Sequence, residues 1–331
     1  MSRVSYWLSL GLRLAAVAMP GAVLVLGGCT AGTGGSGLPP GEGAGANGAG
    51  NGTGNSAGIS LGGGTGGVPD NGCSEAAKLV YVIDENNVFY SFDPTIQSPA
   101  AFHAIGTPNC GSGGGPNSMA VSREGFAYVL YGEPDSFYPD VYYCNAVNKI
   151  DITTAACIGP TPFQCGTQSF DKFGMGYATD AQNSDAETLY LGNSLAAALA
   201  SLDVTTGALT PHGTLPNQGP EFTGNANAEL WGFFPYESPP AAININKSNG
   251  AALTSLPLSS LPDMSQGSSA AWAFAYWGGS FYIFYMVSPP DDSTNVYKLE
   301  YDGTVTEFIP NTGLVIVGAG VSTCAPVVPP N

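Results

Sequence analysis

Carboxylates are the one chemically active side-chain type this sequence holds in quantity. It has 25 Asp and Glu against 8 Lys and Arg and 2 His in 331 residues. Two carboxyl groups roughly 5–9 Å apart can cleave a glycosidic bond, one as acid and the other as base or nucleophile. Asp171 and Glu221 have the setting such a pair requires. Each stands at the head of a short small-residue segment, "GMGYAT" (174–179) and "EFTGNA" (221–226). Histidine chemistry finds no support: His103 and His212 fall in outer-edge segments, so neither a Ser-His-Asp triad nor a His-based zinc site is expected. The acidic stretches "EPDSFYPD" (133–140) and "SPPDDSTN" (288–295) lack the Gly-bearing spacing of a calcium loop. "CGSGGGPNS" (110–118) leads into a strand rather than a helix, so it reads as a crossover and not a phosphate cradle. No metal and no cofactor are expected. Aromatic side chains beside acids can stack on sugars or anchor peptides. Tyr138, Asp140 and Tyr142 form one such group, and Tyr236 with Glu237 forms a second.

The elements that must position these residues recur. "SLDVTTGAL" (201–209) reads as strand, Asx-type turn, strand, with Asp203 as turn former and Gly207 completing the corner. "NKIDITTAAC", "AININKSNGAAL", "FYSFDPTI" and "VYKLEYDGTV" repeat the pattern around Asp151, Asn246, Asp93 and Glu300. The key positions lie 58, 52, 43 and 54 residues apart, the period of a four-stranded propeller blade. An apolar strand precedes each unit, as in "LVYVID" and "FYIFYM", and a smaller-residue strand precedes that one. The predicted order in each blade is a, b, c, d from the axis outward. The first blade lacks strand a, and "LVIVGAGVSTC" (314–324) supplies it from the C-terminus, which closes the ring without open edges. The fold class is all-β, a five-bladed β-propeller over 73–331. The alternatives are six blades or a tandem β-sandwich. The repeat resembles those of bacterial β-propeller repeat proteins, and five-bladed glycosidases of that architecture carry their acids near the starts of inner strands, which again singles out Asp171 and Glu221. Trp272 and Trp277 are expected in the core or lining the channel.

The N-terminus adds a compartment. Arg3 and Arg13, then an apolar run over 14–26 interrupted by Pro20 and Gly21, make a secretory signal rather than a spanning helix. "LGGC" (26–29) resembles a bacterial lipobox. That resemblance implies cleavage after residue 28, lipidation of Cys29, and outer-membrane sorting because Thr30 follows. Residues 29–72 are then the lipidated cysteine and a Gly-rich tether that lacks the apolar residues to form a core. Its root-mean-square span is on the order of 35 Å. Loss of Arg3 and Arg13 takes the formal charge from −17 to −19. Such acidity repels phosphate backbones, so no nucleic-acid partner is expected. Six cysteines remain, an even number in an exported chain, and no C-x-x-C occurs among them. Cys73 and Cys324 flank the closing strands and are expected to pair. The spacing of the other four favours Cys144–Cys165 and Cys110–Cys157, and an irregular strand c would reverse that choice. The functional expectation is a lipid-anchored, non-catalytic binding module for a glycan or protein. A carbohydrate-active enzyme and a structural envelope protein are the alternatives.

Overall fold

The computed structural model describes residues 73–134, 142–264 and 269–330. Residues 1–72, which hold the expected signal, Cys29 and the expected tether, lie outside the described residues, as do Tyr138, Asp140 and the side chain of Tyr142.

Five four-stranded antiparallel sheets make the fold. Blade 1 contains β1 (Val80–Asp84), β2 (Phe89–Phe92) and β3 (Phe102–Gly106). Blade 2 is β4 (Gly115–Val121), β5 (Phe126–Pro134), β6 (Tyr142–Asp151) and β7 (Cys157–Pro160). Blade 3 is β8 (Phe173–Thr179), β9 (Glu187–Asn193), β10 (Ala198–Leu202) and β11 (Leu209–Thr214). Blade 4 is β12 (Glu221–Gly224), β13 (Leu230–Phe234), β14 (Ala241–Ile245) and β15 (Ala252–Pro257). Blade 5 is β16 (Ser269–Trp277), β17 (Ser280–Ser288), β18 (Asn295–Leu299) and β19 (Val305–Ile309). The last strand, β20 (Ile316–Val321), is the inner strand of blade 1. It pairs antiparallel with β1, from Val80 opposite Val321 to Asp84 opposite Ile316. The chain is thus a five-bladed propeller closed by its own C-terminus.

Burial explains the hydrophobic pattern. Each second strand lies between two neighbouring blades, so both its faces are covered and it reads as a continuous apolar run; β1 and β13 are buried at every position. The outer strands have one free edge and are largely open, with β15 the most exposed. The inner strands β4, β8, β12, β16 and β20 adjoin in a closed ring. Crowding there excludes side chains. A Cβ on Gly176 would stand 2.6 Å from the carbonyl oxygen of Phe222 on the next inner strand.

The repeat marker is a turn device. The Oδ1 of Asp93, Asp151, Asp203 and Asn246 each accepts a backbone N–H two residues on. Blade 5 differs: Glu300 takes Ser280 Oγ and Lys298 Nζ instead, and Asp302 accepts the Thr304 N–H. A Glu side chain is one methylene too long for the Asx ring, so the turn shifts to the next carboxylate. The disulfides are Cys73–Cys324, Cys110–Cys157 and Cys144–Cys165. The ring closure is further tied by Ser322 Oγ donating to the Ala77 carbonyl at 2.6 Å and Trp277 Nε1 donating to the Lys78 carbonyl at 2.9 Å.

Candidate functional site

The starts of the inner strands open on the face that carries the b–c loops and the d–a crossovers. Glu221, the first residue of β12, lies here and is buried. Ser118 Oγ, from β4, donates to Glu221 Oε2 at 2.8 Å and accepts the Met175 N–H of β8 at 3.1 Å. One hydroxyl therefore ties three consecutive inner strands. The charge that acts on Glu221 is the ammonium of Lys172, which immediately precedes β8. Burial pushes the Glu221 carboxyl well up, while the Ser118 bond, Lys172 and the Met175 N–H pull it back down. Burial likewise pushes the Lys172 ammonium down, and Glu221 opposes that shift. Dry surroundings disfavour each charge, and the partner restores part of the loss.

Asp171 is half-buried beside this cluster in sequence, but its backbone carbonyl is engaged by the N–H of Cys144. Its carboxylate lies on the Gly166 side, where a Cβ would meet Oδ1 at 3.2 Å. Sequence reading paired Glu221 with Asp171 and missed Lys172 and Ser118. The one available signal was the adjacency of Lys172 to Asp171 in "FDKFG".

The aromatic candidates on this face divide. Tyr236 is 51% exposed, and its ring meets the Trp272 ring edge-on at 5.5 Å. Gly219 makes room for it: a Cβ there would lie 2.5 Å from the Tyr236 ring. Glu237 follows, half-buried. The backbone of Tyr142 opposes Pro134 at the start of β6. Neighbouring Tyr143 is exposed. His103 and His212 are on the outer strands β3 and β11. His212 Nε2 bonds Ser201 Oγ at 2.9 Å. Among the described residues no cluster of three or more His, Cys, Asp or Glu could hold a metal ion.

The sequence matches no protein-family model and no curated protein. Solved structures resemble it only at very low identity. A chain of a nidogen–laminin complex is 10% identical, with a TM-score of 0.45 over 73% of this chain and 97% of that one. A protein of unknown function from Bacteroides caccae is 9% identical, with a TM-score of 0.41 over the same shares.

Proposed function

We propose that this protein is a lipid-anchored, non-catalytic binding module of the cell envelope, held on the outer membrane through Cys29. It presents the b–c loop face of the propeller to a glycan or protein ligand. The observation that carries the reading is the Tyr236–Trp272 shelf: a half-exposed ring, fixed edge-on against a second ring and followed in sequence by Glu237. A fixed, amphipathic aromatic surface binds at low entropic cost. Three disulfides fit an oxidising compartment and thus an exported chain.

Catalysis is the weaker reading because Glu221 is enclosed and its charge partner is a lysine. A glycosidase requires two carboxylates on either side of a bound sugar. The test is a glycan array and an envelope-extract pull-down with the full-length protein and its Tyr236→Ala variant. Specific retention of a glycan or a protein that is lost in Tyr236→Ala supports the reading. Retention unchanged by that substitution refutes this face as the site. Hydrolysis of an array glycan that stops in Glu221→Gln would establish the enzyme instead.

A further inference from the structure

The opposite face, where the a–b and c–d turns lie, carries a cleft of about 450 Å³ between blades 2 and 3. That is within the range for small-molecule sites, roughly 300–1,000 Å³. Its wall includes Ser122, Tyr128, Tyr177, Leu189 and Val204, with Glu124, Glu187, Asp203 and Lys149 among the charged groups.

The propeller's internal repetition shows what such a junction holds when it is filled. Between blades 4 and 5 the turn residue Tyr301 crosses to the preceding blade. Its ring lies 5.8 Å from Trp231, 5.0 Å from Phe281 and 6.2 Å from Tyr276. Its hydroxyl donates to Glu229 Oε2 at 2.6 Å and accepts from Asn225 Nδ2 at 3.2 Å.

Strand register makes the two junctions correspond. Val121 opposes Ala127 in blade 2 as Gly224 opposes Leu230 in blade 4. Ser122 therefore stands where Asn225 stands, and Tyr128 where Trp231 stands. The backbone agrees: the Ser122 N–H bonds the Phe126 carbonyl as that of Asn225 bonds Glu229. On the blade that sends the residue across, Tyr177, Leu189 and Leu202 oppose one another in turn, as do Tyr276, Phe281 and Leu299. Two residues beyond Leu202 comes Val204, and two beyond Leu299 comes Tyr301. Between blades 3 and 4 the equivalent residue is Lys247, whose ammonium also crosses and donates to the Thr179 carbonyl at 2.6 Å. Val204 is too short to cross, and the space stays open.

A second observation marks the vacancy. Ser122 is 4% exposed, and its hydroxyl has no hydrogen-bond partner among the described residues. A buried hydroxyl left alone costs free energy. In the filled junction its counterpart, Asn225, bonds the Tyr301 hydroxyl.

We propose that this cleft binds a small cationic phenol: a hydroxylated aromatic ring packed against the Tyr128–Tyr177 pair, whose own rings lie 5.9 Å apart, and Leu189, its hydroxyl on Ser122. Its ammonium tail would meet Glu124 and Asp203 against Lys149, while Glu187 is already engaged by the Arg123 N–H and the Thr323 hydroxyl. The site is separate from the Tyr236 shelf, and it stands or falls independently of it.

The test is calorimetry on the full-length protein with tyramine, with phenethylamine, which lacks the hydroxyl, and with 4-hydroxyphenylacetate, which reverses the charge. Tyramine should bind about fivefold tighter than phenethylamine, one neutral hydrogen bond, and at least tenfold tighter than the acid. Ser122→Ala should weaken tyramine about fivefold without lowering the thermal midpoint, because it removes an unsatisfied buried group. Val204→Tyr should place the chain's own ring in the cleft and abolish binding. No tyramine binding at 10 mM overturns the proposal. So does equal affinity for tyramine and phenethylamine together with an unaffected Ser122→Ala variant. Unchanged binding in a folded Val204→Tyr variant also overturns it.

Discussion

Replacing Cys73 and Cys324 with serine should destabilise this protein more than removing either of its other disulfides. The bond closes a loop with a sequence separation of 251 residues, against 47 for Cys110–Cys157 and 21 for Cys144–Cys165. A crosslink restricts the unfolded chain in proportion to the logarithm of loop length. The restriction is worth about 5.5, 4.0 and 3.3 kcal/mol for the three loops in that order, as upper values. The folded ring does not depend on the Cys73–Cys324 bond alone. The β20–β1 pairing remains, as do the Ser322–Ala77 and Trp277–Lys78 hydrogen bonds. The variant should therefore fold and show its loss in the equilibrium. Guanidinium unfolding followed by tryptophan fluorescence reads it directly. With a slope on the order of 5 kcal/mol/M for a domain this size, the midpoint falls by about 1 M. The slope itself should rise, because the uncrosslinked unfolded chain exposes more surface. If the Cys73–Cys324 variant loses no more stability than the Cys144–Cys165 variant, the loop-entropy reasoning is wrong. The closure would then be held by strand pairing alone.

Three further outcomes follow from the axis and the open face. Gly176→Ala places a methyl against the Phe222 carbonyl and should cost roughly 2 kcal/mol. Gly115→Ala, with nothing within 4 Å of the new carbon, should cost clearly less in the same thermal melt. Lys172→Met strands the buried Glu221 carboxyl and should cost roughly 2–4 kcal/mol at neutral pH. The folded-state carboxyl is already pushed above its ordinary range, so folding favours its protonated form. The stabilisation is present at low pH and lost as pH rises through the raised value. The Lys172→Met deficit should therefore shrink as pH falls through the raised Glu221 value, and a pH-independent deficit would contradict the pairing. Tyr236→Ala gives up the edge-on contact with Trp272 and half of the ring's burial, and should lower stability by roughly 1–2 kcal/mol in the same melt.

The blades were legible because their marker is local. An Asp or Asn followed two residues later by a backbone N–H closes a turn wherever it occurs, so Asp93, Asp151, Asp203 and Asn246 repeat at the period of the fold. Glu300 fitted the spacing but not the turn chemistry, which passed to Asp302. The small residues of β20 and the cysteines flanking the closure carried equally plain signals, since crowding at the axis and a fixed Cα separation constrain residue type.

Contacts across blades left no such trace. Ser118 and Glu221 are 103 residues apart, and the hydroxyl bond between them exists only because three inner strands converge on one axis. Asp203 read as a corner and nothing more, yet the same turn borders the open cleft. Whether a junction is filled depends on the reach of one side chain, Tyr301, Lys247 or Val204, against a neighbouring blade. Sequence alone determined the turns, the strand order and the way the ring closes, because those follow from short-range hydrogen bonding and steric crowding. Tertiary structure alone decided which polar groups found partners, because that depends on distances between blades that no local pattern encodes.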